Sequence, residues 1–356
     1  MSRTIQKSSR LLWADILKFW GIFAIVLGHT LSNGAVNQYL YSFHVPLFFF
    51  AIGLYFKPTE TSFGRFFAKK ALSLLVPYLA FAVISILIFS VLGQLVSSSL
   101  GSDATDFSLR SNLLEMLIGQ CRANRPLWFL PCMFAFYIPC LGLTKCTKKL
   151  AKPFKIVIFA VVIAGSIALC MLNSYALKID ALFWKVDVAI IMLCFFAVAV
   201  LVKPLLAQQI TLLVSFVLAV LFLLIGGVLA FQNSTVGYLS NSYGNVWIFY
   251  SSSICTILGF SYLSIVISRL NIQIINKILT YVGQRTLPIL LMHKFPILFF
   301  QVLFPYTKQP LKNNNPYVGL AVAIVSIAGC LIVEQIWKKI FGIIISKTRR
   351  EKQAVE

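Results

Sequence analysis

The chain has 356 residues, 59% of them hydrophobic and only 12% charged, with a mean hydropathy of +0.88. Soluble domains carry about 25% charged residues, so this composition excludes an ordinary soluble fold. The formal charge of +21 comes without any base-stacking module or basic domain, which speaks against nucleic acid and for basic loops gathered on one side of a membrane.

Ten apolar runs are long enough to cross ~30 Å of hydrocarbon: 13–32, 39–56, 71–96, 126–145, 154–172, 183–202, 210–231, 246–267, 286–304 and 317–337. They predict an all-α, polytopic integral membrane protein, a bundle of about ten transmembrane helices filling one domain, 1–345, with a frayed tail at 346–356. Alternate loops hold the basic residues, such as Arg65, Lys69 and Lys70 or Lys145, Lys148, Lys149, Lys152 and Lys155. That asymmetry predicts cytoplasmic termini. Arg3, Lys7 and Arg10 precede the first run as in a signal peptide. Asp15 and Lys18 at its start, with no small-x-small site after it, predict a retained helix instead.

The first run, "DILKFWGIFAIVLGHT", carries Lys18 and His29. Eleven residues of helix amount to about 20° more than three full turns, which puts both side chains on one face roughly 16 Å apart. The plain reading of Lys18 is a snorkelling lysine paired with Asp15. The second run carries Pro46 and His44, the latter five residues from its start, so His29 and His44 can share a pocket at one end of a helical hairpin. The long polar connection at about 97–125 is predicted outside the cell, and such loops are often functional. Its Glu115, Arg122 and Arg125 either grip a polar or anionic sugar or merely solvate the rim. In the fourth run, Pro131 and Pro139 predict kinks, while Trp128 and Phe129, at its start, either line a pocket or pack in the core. The ninth run holds His293 and Lys294, a cation that needs an anion or a wet cavity.

His29, His44 and His293 are the only histidines. A histidine in a membrane can simply bond a backbone carbonyl, but ionisable groups there are functional candidates by default. The eight cysteines show no metal-ligand spacing and read as small apolar residues. No internal repeat is visible.

Four stretches, "KFWGIFAIVLGH", "FHVPLFFFAIGLYF", "PLWFLPCMF" and "VGQRTLPILLMHKF", occur in the order seen in the acyltransferase-3 family of bacterial membrane O-acyltransferases. The chain resembles that family over most of 13–304, and most of all its fucose-4-O-acetylase-like branch. The resemblance implies a multi-pass protein of the bacterial cytoplasmic (inner) membrane. It implies transfer of an acyl group, above all acetyl from acetyl-CoA, to a hydroxyl of a surface or secreted glycan or lipid-linked sugar, with no metal. His29 matches the catalytic histidine and Lys18 its basic partner. His44 would orient His29 or stabilise the oxyanion. Lys70, Lys294 and His293 would join Lys18 on the acyl-CoA. One departure concerns an Arg-x-x-Arg pair usual before the third helix, which reads here as Lys70 and Ser73; Lys69 and Arg65 are the nearest substitutes. On this reading the lysine binds CoA phosphates and the imidazole meets the thioester at the far end of the pantetheine arm. A homo-oligomer stays open. The competing functions are a polysaccharide transporter or flippase and an export subunit, although transporters usually show repeats.

Overall fold

The computed structural model describes residues 12–31, 34–56, 62–100, 109–179, 182–303 and 315–353, with side chains at 89, 91–100, 301–303 and 340–353 left out of that description. The helices are α1 Leu12–Thr30, α2 Ala35–Tyr55, α3 Phe63–Leu100, α4 Leu109–Leu117, α5 Phe129–Thr147, α6 Lys152–Leu172, α7 Val186–Ile191, α8 Leu193–Leu206, α9 Leu212–Phe231, α10 Val246–Leu270, α11 Gln273–Gly283, α12 Thr286–Met292, α13 Lys294–Leu303 and α14 Pro316–Gln353. Among the described residues there is no strand, only an isolated bridge between Gly237 and Ser242.

Helix is the form that satisfies every backbone group within one segment in hydrocarbon. Among the described residues seven helices are long and apolar enough to cross a membrane, or up to eight if the bent pair 183–191 and 193–206 counts as one span. The expected ten are therefore not all met. α2 carries Asn37, Gln38, Ser42 and His44 in its first half, and the run at 286–304 is interrupted at His293. Pro296 lacks the N–H that would reach the carbonyl of Met292, so the hydrogen-bond ladder fails at that point. The run at 183–202 also differs from a single helix, because α7 and α8 meet at 42° across Met192. Hydropathy alone registers neither break.

α2 is enclosed by its neighbours and buries Phe43, Leu47, Phe49, Phe50 and Leu54. Phe49 meets Phe129 and Phe136 edge-on, at 5.5 and 4.6 Å between ring centres, a geometry that aromatic quadrupoles favour. Gly53 lets α8 close on α2, since a Cβ there would lie 2.7 Å from the Phe196 carbonyl oxygen. Small residues allow such approaches between membrane helices. The outer helices are built the other way round. α6 exposes Phe154, Val157 and Val161; α9 exposes Leu213, Leu224 and Val228; α14 exposes Ile332, Val333 and Trp337.

Two further expectations change. Within the described part of 97–125, α3 continues to Leu100, and α4 and a 3-10 turn, Arg122–Trp128, follow. The tail expected to fray is helical through Gln353, as a stretch with strong helix formers and no Gly or Pro stop allows.

Candidate active site

α1 and α2 form an antiparallel hairpin whose two ends carry different chemistry. At the end nearer the amino terminus, Lys18 Nζ lies 2.7 Å from Asp15 Oδ1 and 5.3 Å from the centre of the Tyr55 ring. Asp15 is only 1% exposed, so its charge needs several donors. It also accepts hydrogen bonds from Gln284 Nε2 at 3.0 Å and Tyr55 Oη at 3.4 Å. Gly283 makes this seat possible, because a Cβ there would fall 1.9 Å from the Asp15 carbonyl oxygen. Lys70 sits over the Tyr137 ring at 3.7 Å, a cation–π geometry, and Tyr137 stacks on Phe56. Lys18 and Lys70 thus flank the carboxy-terminal end of α2, at Tyr55 and Phe56.

Three turns further along α1 lies a cavity of about 150 Å³, with His29, Tyr41, His44, Arg125, Trp128 and Tyr238 among its walls. Tyr41 and His44, three apart on α2, share a face. Tyr41 presents its ring edge-on to His44 at 4.6 Å and to His29 at 6.5 Å. His29 stacks on His293 at 5.3 Å, so all three histidines gather here. His44 Nδ1 donates to the Leu40 carbonyl at 2.6 Å. His293 Nδ1 lies 3.0 Å from both the Ile289 and Leu290 carbonyls, and its Nε2 is buried without a partner among the described residues. Bonding a helix carbonyl therefore describes His44 and His293. It does not describe His29, whose imidazole makes no hydrogen bond among the described residues and opens on the cavity.

The cations expected to act together are divided between the two ends. Lys294 follows His293 and is within electrostatic reach of His29 and Arg125. His293 and Lys294 therefore stand at the histidine end, and not with Lys18 and Lys70. The rim set divides as well. Arg122 pairs with Glu115 at 2.7 Å and is 68% exposed, whereas Arg125 and Trp128 line the cavity. Three residues of regular 3-10 helix would put both arginines on one face, but Asn124 between them is non-helical (φ −142°, ψ 76°). Its buried side chain donates to the Leu291 carbonyl at 3.2 Å and to Ser85 Oγ at 3.3 Å, tying the turn to α12 and α3.

Sequence reasoning missed Tyr41, Asn124 and Tyr238. Tyr41 had a usable signal, its i−3 spacing from His44. Tyr238 belongs to the irregular segment 232–245, where no periodicity points inward. Its hydroxyl donates to the Tyr41 carbonyl at 2.6 Å. Burial, together with nearby Tyr41, holds that phenol well above its ordinary pKa, so it remains a neutral donor. Lys185 Nζ donates to the Leu239 carbonyl at 2.5 Å and fixes the same wall from behind.

The arrangement suits proton transfer by a cavity-lining imidazole beside cationic groups that favour developing negative charge. Among the described residues, no group of three or more His, Cys, Asp or Glu is disposed to hold a metal ion. No curated protein and no solved structure matches the chain. A family model does, across both ends of the hairpin and the cavity: the Acyltransferase domain of the acyltransferase-3 family matches residues 11–335, and the chain belongs to that family.

Proposed function

We propose that the protein transfers an acyl group, acetyl foremost, from cytoplasmic acyl-CoA to a hydroxyl of a surface or secreted glycan, with His29 as general base. The observation that carries this reading is the His29 imidazole, unbonded among the described residues and open to the cavity, three turns along α1 from Lys18. In this reading the Lys18 and Lys70 end is cytoplasmic. Their ammonium groups attract the CoA phosphates as point charges, and the pantetheine arm runs along α1 towards the cavity. Lys18 remains partly exposed while paired with Asp15, so a phosphate can share it.

At the histidine end an acceptor hydroxyl approaches His29. As its oxygen attacks the thioester carbonyl carbon, the proton passes to the unprotonated ring nitrogen. A C–O bond forms and negative charge gathers on the carbonyl oxygen, near Arg125 and Lys294. Collapse breaks the C–S bond, and the CoA thiolate recovers the proton from His29. Ester and free CoA leave.

The test uses purified protein in detergent with radiolabelled acetyl-CoA and envelope glycan. His29→Gln keeps a polar side chain without a titratable nitrogen and should lose 10²–10⁴-fold in transfer while still binding acetyl-CoA. A near-normal rate for folded His29→Gln would remove the base from the mechanism.

A further inference from the structure

His44 is the second imidazole on the cavity wall, and one contact fixes its chemistry. Its Nδ1 lies 2.6 Å from the Leu40 carbonyl oxygen, one turn back on α2. A carbonyl oxygen only accepts, so Nδ1 must carry hydrogen. Turning the ring over would put a carbon there, well inside the ~3.3–3.6 Å of a weak C–H contact to oxygen, so the ring orientation is fixed too. In the neutral ring a proton on Nδ1 leaves Nε2 with a lone pair alone.

The neighbours leave that lone pair for a ligand. The ring is held edge-on by Tyr41 at 4.6 Å and Tyr238 at 5.7 Å. The Tyr238 hydroxyl is committed to the Tyr41 carbonyl, and His44 Nε2 makes no hydrogen bond among the described residues. His293 has the same backbone lock, yet its Nε2 is buried without a partner among the described residues, whereas the His44 ring lines the cavity. A neutral His44 bound this way has no N–H to offer an oxyanion. The role of oxyanion donor expected from the sequence does not fit it, and that charge falls to Arg125 and Lys294.

We propose that His44 is a specificity-determining residue whose Nε2 accepts a hydrogen bond from a hydroxyl of the acceptor and so orients it, while His29 alone removes the proton. The proposal rests on the acyl-transfer reading above. It asks for an acceptor that presents a hydroxyl to His44 as well as one to His29, as a polyol does.

Because the chain has three histidines, ¹⁵N-histidine NMR of the whole protein in detergent resolves each ring, with His29→Gln and His293→Gln assigning His44 by difference. We expect His44 protonated at Nδ1 and bare at Nε2. In steady state with acetyl-CoA and isolated envelope glycan, His44→Gln should raise the half-saturating glycan concentration about tenfold, the worth of one hydrogen bond. Glycan-free acetyl-CoA hydrolysis should fall by a smaller factor than transfer to glycan. An Nε2–H tautomer or an imidazolium at His44 in an active enzyme overturns this role alone, as does His44→Gln slowing hydrolysis and transfer in equal proportion. A wild-type protein that neither hydrolyses acetyl-CoA nor acylates glycan overturns the acyl-transfer reading, and the His44 role with it.

Discussion

The rings of His29 and His293 stack with their centres 5.3 Å apart and their planes 30° apart, joining α1 to the break between α12 and α13. His293 is fully buried and its Nδ1 is held by backbone, so its contribution to His29 is shape: a flat wall that fixes the angle of the reacting ring. His293→Phe keeps such a wall and should retain most transfer activity. His293→Ala leaves a void next to His29 and should lose both rate and stability, since buried aromatic-to-alanine changes cost about 3–5 kcal/mol. If folded His293→Phe were as inactive as His29→Gln, a chemical role for His293 would have to replace this positional one.

The division of the cations predicts two distinct kinetic defects. Lys18→Gln removes a charge-assisted contact from the donor end and should raise the half-saturating acyl-CoA concentration by about ten- to a hundredfold, with little change in the maximal rate. Lys294→Gln removes charge beside His29 and should instead lower the maximal rate, by about 10²–10³ if it acts as an oxyanion partner. The measurement is a pair of acyl-CoA saturation curves. Equal effects of both variants on acyl-CoA affinity would return Lys294 to the phosphate end.

The helical class and both ends of the α1–α2 hairpin were legible because they depend on composition and on a period along one element. Lys18 and His29 share a face of α1 through spacing alone, and His44 follows because a short connection makes α2 the neighbour of α1. His293 joined them only through long-range packing, and the helix break that sets it there comes from one missing hydrogen bond at Pro296. Arg122 and Arg125 looked equivalent in sequence; a single backbone excursion at Asn124 turns one to solvent and the other to the cavity. Tyr238 had no local signal, since its place depends on contacts to α2 and to Lys185.

Lys185 is 2% exposed and sits at a positive φ of 53°, in a turn tied to α4 through Trp184, whose Nε1 donates to the Leu117 carbonyl at 3.0 Å. Lys185→Met should leave the Leu239 carbonyl unsatisfied, destabilising the protein by about 1–3 kcal/mol and loosening the wall that carries Tyr238. We expect a lower melting temperature in detergent and weaker saturation by glycan, with glycan-free acetyl-CoA hydrolysis nearly intact. A variant that melts lower yet saturates normally would confine Lys185 to stability.

Gly283 offers the sharpest test of the donor end, because its clash is with backbone and no rotamer can relieve it. A Cβ there meets the Asp15 carbonyl oxygen at 1.9 Å and the Phe19 nitrogen at 3.1 Å, so Gly283→Ala must push α11 off the first turns of α1. That shift breaks the hydrogen bond from Gln284 to Asp15 and loosens the hold on Lys18, while the cavity three turns away keeps its walls. Overpacking of this kind costs about 1–3 kcal/mol, and acyl-CoA affinity should fall with it while glycan affinity holds. Gly142 on α5 is the control, since a Cβ there meets nothing within 4 Å. Gly142→Ala gains about 0.5–1 kcal/mol of helix stability and should melt slightly higher with unchanged kinetics. Equal melting temperatures and equal acyl-CoA saturation for the two variants would mean that α11 does not seat against Asp15, and Lys18 would then lose its structural link to the "VGQR" stretch.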